Sequence, residues 1–283
     1  MVVSQPSQPI LDDGLVVPTV GSWSEDKYEL VGRYSAQFST GMKRKWDRRV
    51  YVDLYAGAGY TSLRGTNRIV LGSPLIALTV KDPFDKYVFC EENRECIDAL
   101  RFRVSHLAPS ADVSYIPGDC NAELDSIQAA IPKASQGDTV LTLCVVDPFD
   151  FGVKFETLRR LSSSYVDFLV LLAIGMDANR NYDHYVDGNS TKIDEALGNT
   201  DWRDRWKTTG VHRSDFRRFL AGEFSKSMES LGYLHQELHQ MKLVRSDDKN
   251  LPLYYIALFS RHDLAYQYWR EVLKYSTDQK PLF

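Results

Sequence analysis

The 283 residues carry 43% hydrophobic and 25% charged side chains, enough to bury one large core and ordinary for a soluble globular chain. With 34 Lys and Arg against 38 Asp and Glu, the formal charge is −4, which excludes a polycation that coats nucleic acid over its whole surface. No apolar run approaches the roughly 20 residues of a membrane span. The longest, residues 165–174, is interrupted by Asp167, so no membrane contact is expected and the cytoplasm follows as the default location.

Residues 1–20 open with a stretch rich in Pro, Ser and Gln that has neither a basic nor an apolar block. A flexible lead rather than a signal peptide is expected there, ahead of one domain over 21–283. Tyr28, Leu30, Val31, Tyr34 and Phe38 predict an amphipathic helix over 27–40. From residue 49 onward strands and helices alternate. Strands are expected at 50–55, 87–90, 112–116, 139–146 and 166–174. Helices are expected at 73–80, with Ser73 as N-cap before Pro74, and at 94–107, 121–131 and 154–162. That rhythm indicates an α/β fold with a mostly parallel sheet. A polar segment near 177–212 reads as an insertion and 214–231 as a helix. Two β-leaning runs, 233–244 and 253–260, joined by turn-forming residues 246–250, predict an antiparallel edge pair.

Cys90, Cys96, Cys120 and Cys144 form no C-x-x-C pair, and His235-Gln236-Glu237-Leu238-His239 is not H-E-x-x-H. Buried free thiols are expected, and no metal. The sequon Asn189-Ser190-Thr191 reads as chance in a chain without a secretory route.

The chemistry concentrates at the expected strand ends. Asp53-Leu54-Tyr55-Ala56-Gly57-Ala58-Gly59 is a strand running into an acid and a tight Gly-x-Gly turn, where the backbone can approach a ligand closely. Glu91 follows the second strand and has the chemistry to take both hydroxyls of a ribose. Asp119, beside Cys120, follows the third and can accept from an exocyclic amine or cap the next helix. Asp147-Pro148-Phe149 ends the fourth, combining an acceptor, a stiff turn and a ring that can stack. In an open parallel sheet these ends share one crevice. There is no G-x-x-x-x-G-K-[ST], and Gly57-Ala58-Gly59 lacks the third glycine of G-x-G-x-x-G. This points away from a pyrophosphate ligand, disfavours an NAD-dependent oxidoreductase, and indicates S-adenosyl-L-methionine as cofactor.

In order along the chain, the Asp53–Gly59 loop, Gly72-Ser73-Pro74-Leu75-Ile76-Ala77-Leu78, Glu91, Gly118-Asp119 and Asp147-Pro148-Phe149 resemble the three-Cys-motif partner protein family, TcmP. Tyr254-Tyr255-Ile256-Ala257-Leu258-Phe259-Ser260-Arg261-His262 and Tyr268-Trp269 are similar to that family's C-terminal pattern. The likeness spans residues 23–275. The same motifs resemble, more distantly, the bacterial enzymes that methylate adenine N6 in 23S ribosomal RNA. Those carry Asp-Pro-Pro-Tyr where this chain has Asp147-Pro148-Phe149-Asp150, one proline fewer and one acid more.

The resemblance implies a Rossmann-like class I methyltransferase fold with a seven-stranded sheet. It places Asp53, Tyr55, Ala56, Gly57 and Gly59 in the cofactor loop, Glu91 at the ribose, Asp119 and Cys120 at the adenine, and Asp147, Pro148 and Phe149 at the methyl-transfer position. It also implies a radical-S-adenosylmethionine-like partner bearing a three-cysteine motif. The expected function is methyl transfer to RNA or DNA with that partner. The alternative is a non-catalytic accessory protein that binds the cofactor or the partner in a mobile-element or phage-defence system. Two stretches that interleave cations with aromatics, Lys43-Arg44-Lys45-Trp46-Asp47-Arg48-Arg49 and Trp202-Arg203-Asp204-Arg205-Trp206-Lys207, are candidate nucleic-acid surfaces, with solvated helix faces as the plainer reading.

Overall fold

A computed structural model describes residues 9–66, 68–150, 152–173, 181–188, 190–246 and 250–275. Its main sheet is built from β2 (Arg48–Asp53), β5 (Lys86–Glu91), β6 (Val113–Pro117), β7 (Val140–Val146), β8 (Val166–Leu172), β9 (Lys242–Arg245) and β10 (Pro252–Phe259). They lie in the order β6-β5-β2-β7-β8-β10-β9, so counted within this sheet the strands read 3-2-1-4-5-7-6. Every pair is parallel except β8 with β10 and β10 with β9. This is the expected Rossmann-like class I methyltransferase fold, a mostly parallel seven-stranded sheet with an antiparallel C-terminal edge pair. The central strands β7 and β8 are buried along their whole length, which is why they read as apolar runs broken only by Thr142 and Asp167.

Alternation along each strand sorts side chains into two cores. Val50 and Val52 of β2 join Cys144, Val146, Phe168 and Val170 on one face. That face is covered by α4 (Leu124–Ala130), α5 (Phe155–Leu161) and the later helices α6 (Tyr182–Val186), α7 (Lys192–Leu197), α8 (Trp202–Thr208) and α9 (Phe216–Ser230). Tyr51 joins Leu143, Val145, Leu169 and Leu171 on the other face. There lie α1 (Ser24–Met42), α2 (Ser73–Leu78), α3 (Arg94–Leu107) and α10 (Asp263–Lys274). Asp53 and Asp147 keep the parity of Tyr51 and Val145, so both carboxylates belong to the face that α1 covers.

Several expected elements are displaced for local reasons. Gly72, not Ser73, is the N-cap of α2: it is extended, its carbonyl accepts from Ile76 N at 3.0 Å, and Ser73 is freed to bond Asp53. The run 233–244 is strand only over β9. Before it, Tyr233 donates to Val166 O at 2.9 Å, and a reciprocal Glu237–Gln240 capping box turns the chain through a 3-10 helix, Leu238–Gln240. A second small sheet has no counterpart among the expected elements: β1 (Thr19–Val20) pairs with β3 (Tyr60–Leu63), which pairs with β4 (Arg68–Leu71).

Of the lead expected over 1–20, residues 1–8 lie outside the described residues, while Ile10 and Val16 pack on the body. Of the insertion, 174–180 and the sequon's Asn189 lie outside them, and the rest of 181–208 is largely helical. Residues 247–249 of the expected turn are also outside. All four cysteines are buried and free. Among the described residues no helix is long and apolar enough to cross a membrane.

Candidate active site

The strand order reverses between β2 and β7, and the carboxyl edge at such a switch point is where an open α/β sheet leaves a crevice for a ligand. The Gly57-Ala58-Gly59 turn sits there. Gly57 and Gly59 have φ of 62° and 82°, which side chains other than glycine rarely adopt. The two differ in what surrounds them. A Cβ on Gly59 would come within 2.9 Å of Leu100 and 3.0 Å of Leu75, whereas one on Gly57 would meet nothing within 4 Å. Gly59 therefore packs the loop onto α2 and α3, and Gly57 faces open space. Gly59→Ala should lower stability by about 1–3 kcal/mol through strain and overlap, and Gly57→Ala by about 1 kcal/mol through strain alone. Denaturant midpoints of the two variants check this order.

The loop is tied on both sides. Glu91 at the end of β5 accepts from Gly57 N at 2.8 Å through Oε2 and from Asn93 N at 2.8 Å through Oε1, and Ala56 N donates to Cys90 O at 2.9 Å. From behind, Arg103 of α3, 3% exposed, donates to Ala58 O at 2.6 Å and Val16 O at 3.0 Å. It also forks onto Asp13 at 2.7 and 2.8 Å and stacks over the Tyr60 ring at 4.3 Å.

Asp119 is exposed on the rim, where its Oδ1 accepts from Asn121 N and Nδ2 at 3.0 and 2.9 Å. Asn121 in turn donates to Gly152 O at 2.8 Å and accepts from Lys154 N at 2.9 Å, bracing the loops after β6 and β7 against each other. Cys120 is buried, and burial pushes its thiol up to about 11, so its side chain is packing material beside the half-buried Tyr55. Burial likewise raises the Tyr55 phenol far above its ordinary range.

Asp53 and Asp147 meet in the crevice's floor. Asp53 is fully buried, accepts from Tyr55 N at 3.2 Å and lies 3.4 Å from the Tyr51 hydroxyl. Burial pushes its carboxyl up to about 7, with Ser73 pulling it down and Asp147 adding to the rise. Asp147 Oδ2 accepts from Lys27 Nζ at 2.6 Å, and burial raises this carboxyl while Lys27 draws it back. On Lys27 itself burial is the largest single effect and opposes the charged form, but Asp147, Tyr28 and Tyr254 together overcome it, and the ammonium is held charged above the usual lysine range. Tyr254 of β10, whose phenol is raised by burial, completes this wall with a buried hydroxyl that has no hydrogen-bond partner among the described residues.

Pro148 is buried beside the strand end, but the ring of Phe149 is 93% exposed and does not close over Asp147. Asp150 pairs with Lys192 of α7. The carboxyl edge of the sheet thus pairs Gly57 with Glu91 and sets Asp53 beside Asp147, with Asp119 exposed and Phe149 turned outward. Lys27, Tyr254, Arg103 and Asn121 are absent from the residues expected by sequence. Lys27 had one local signal: it is a cation on the apolar face of α1, a turn before Val31 and two before Tyr34.

The two cation-aromatic stretches are not stacking surfaces. Trp202 and Trp206 are 0% and 5% exposed, packed on Phe216, while Arg203 pairs with Asp194 and Arg205 with Glu223. Residues 43–49 enter β2 at the edge opposite Asp53. There Arg49 is buried on Asp85, Lys43 pairs with Asp82, Arg48 pairs with Asp138, and Trp46 packs on Tyr165.

No family model matches the chain, and no curated protein matches it in sequence. Solved structures with a similar course include protein LPL1258 from Legionella pneumophila, with TM-score 0.42 and 12% identity over 61% of this chain and 74% of that one. TYW2 from M. jannaschii in complex with AdoMet has TM-score 0.40 and 11% identity over 81% and 77%. The putative methyltransferase yhhF from Escherichia coli has TM-score 0.32 and 16% identity over 50% and 67%. The strand order, rather than any of these likenesses, carries the fold.

Proposed function

We propose that this chain is an S-adenosyl-L-methionine-dependent methyltransferase, with RNA or DNA as the favoured substrate class and a three-Cys-motif protein as partner. The observation that carries the reading is the left-handed Gly57-Ala58-Gly59 turn at the switch point, with Glu91 beside it on β5 and Asp53 and Asp147 below. Asp53 and the open side of Gly57 fit a cofactor with a charged amino-acid end. Glu91 fits its ribose once Oε2 exchanges the Gly57 amide for a hydroxyl, and Asp119 fits its adenine. When bound, the cofactor supplies an electrophilic methyl group. The protein's part is to hold a nucleophile in line near Asp147, a matter of proximity and orientation. A nucleic-acid substrate rests on the TcmP-like and adenine-methyltransferase-like motif order, not on the two basic stretches.

Calorimetric titration with S-adenosylhomocysteine should give saturable heat, which Gly57→Ala should abolish while remaining folded. Tritiated-methyl transfer to total RNA, DNA and the co-expressed partner should then follow, and Asp147→Ala should lose transfer but keep cofactor binding. Unchanged transfer in Asp147→Ala would remove that residue from the reaction. Two observations favour a non-catalytic binder instead: Asp147 already holds Lys27, and Phe149 faces away. For that reading the titration gives heat and no acceptor is labelled.

A further inference from the structure

Four side chains from four elements meet on the α1 face of the sheet: Lys27 from α1, Asp53 from β2, Asp147 after β7 and Tyr254 from β10. Lys27 is only 8% exposed. Its stem lies in the core, its ammonium stands 4.6 Å from the Tyr28 ring centroid, and its Nζ reaches Asp147 Oδ2 at 2.6 Å. Among the described residues no hydrogen bond reaches the other oxygen, Oδ1. Among the described residues, Asp147 thus offers one unbonded oxygen to an incoming donor, while its charge is already matched by Lys27. Resting on the methyl-transfer reading above, we propose that Lys27 is an internal counter-cation. It takes the place at Asp147 that a substrate ammonium would take, so the site accepts an uncharged amine donor and rejects cationic amines.

The electrostatics are direct. A neutral amine needs only an acceptor oxygen, and Asp147 Oδ1 offers one. A second ammonium would meet Lys27 at close range in a poorly solvated setting, where like charges repel far more than in water. Such an amine would also have to shed a proton before its lone pair could act, and a carboxylate already paired with an ammonium is a weakened proton acceptor. Without Lys27, the Asp147 carboxylate would be left unpaired on this floor, a place suited to a cation. Lys27 is thus a specificity-determining residue that acts through Asp147.

Chemical rescue tests this without knowing the substrate. Lys27→Ala should melt lower than wild type, and n-propylammonium at tens of millimolar should restore about 2–4 °C. The same concentration should leave wild type unmoved, and 1-propanol should do nothing for the variant. Equal stabilisation by propanol, equal response of wild type, or no response at all would overturn the proposal. If Lys27→Ala does not fold, Lys27→Met keeps the volume of the stem. Its melting temperature should then recover when the carboxylate is also removed in K27M/D147N, and no recovery would likewise overturn the proposal. Titration of wild type with S-adenosylhomocysteine runs alongside. Cation-selective rescue without cofactor heat sinks the methyl-transfer reading and with it the selection of substrate. Cofactor heat without rescue sinks the counter-cation alone.

Discussion

Arg103→Met should destabilise the protein by about 3 kcal/mol, the lower end of what breaking a buried, hydrogen-bonded ion pair costs. The lower end applies because Asp13 is partly exposed while the guanidinium is not. Methionine retains packing volume but leaves the Ala58 carbonyl without its 2.6 Å donor and Asp13 without its fork. At about 2–4 °C per kcal/mol for a chain of this size, melting should fall by roughly 6–12 °C. The effect reaches beyond stability, because Ala58 lies between the two left-handed glycines. The variant should bind S-adenosylhomocysteine more weakly and become sensitive to limited proteolysis ahead of β1. Wild-type melting and an unchanged digestion pattern would show that the arginine is not what fastens the loop.

The second large effect is a loss of stability as pH rises from 5 to 8. Burial is the chief cause that lifts both Asp53 and Asp167 to about 7, and Ser260 and Arg261 pull Asp167 down only in part. Each therefore holds a proton in the fold that the unfolded chain has lost above about pH 4. Their contribution is complete below the unfolded value and disappears as pH climbs through 7. The expected loss is about 3 kcal/mol per group between pH 5 and 8. Asp13, held below the ordinary carboxylate range first by its hydrogen bond to Arg103, works the other way and loses its contribution only in acid. Asp167→Asn has no proton to lose, so it should be more stable than wild type at pH 8 and show a flatter profile. Melting curves for both proteins at four pH values decide the matter, and parallel profiles would refute the assignment.

What was legible in the sequence was what local pattern encodes. The expected helix 94–107 coincides with α3, because Asn93 accepts from Cys96 N as a cap and Cys96, Ile97, Ala99, Leu100 and Val104 mark its buried face. β2, β5 and β7 were legible as apolar runs leading into an acid, and that placement delivers Asp53, Glu91 and Asp147 to one edge. Short strands were not legible: β3 and β4 have four residues each and gain their order only from pairing with one another and with β1. Trp202 and Trp206 among arginines looked like a surface because sequence shows neighbours along the chain. Asp194 and Glu223, which neutralise Arg203 and Arg205, lie elsewhere in it. Lys27 and Arg103 escaped for the same reason, since each acts on a residue far away in the sequence.

The ion pair between Lys27 and Asp147 spans 120 positions. β2 is flanked by β5 and β7, so the strand that carries Asp53 lacks one neighbour until β7 has been made. Closing a loop of that length costs little more than closing a shorter one, since the entropy grows only logarithmically, so the separation bears on when the contact can form and not on its strength. During synthesis the helix bearing Lys27 emerges long before its carboxylate, and the crevice cannot be electrically complete while the chain is still short of residue 147. A ribosome-stalled fragment ending after β6 contains the Gly57 loop and Glu91 but not Asp147, so the proposed site cannot be complete before that point in synthesis.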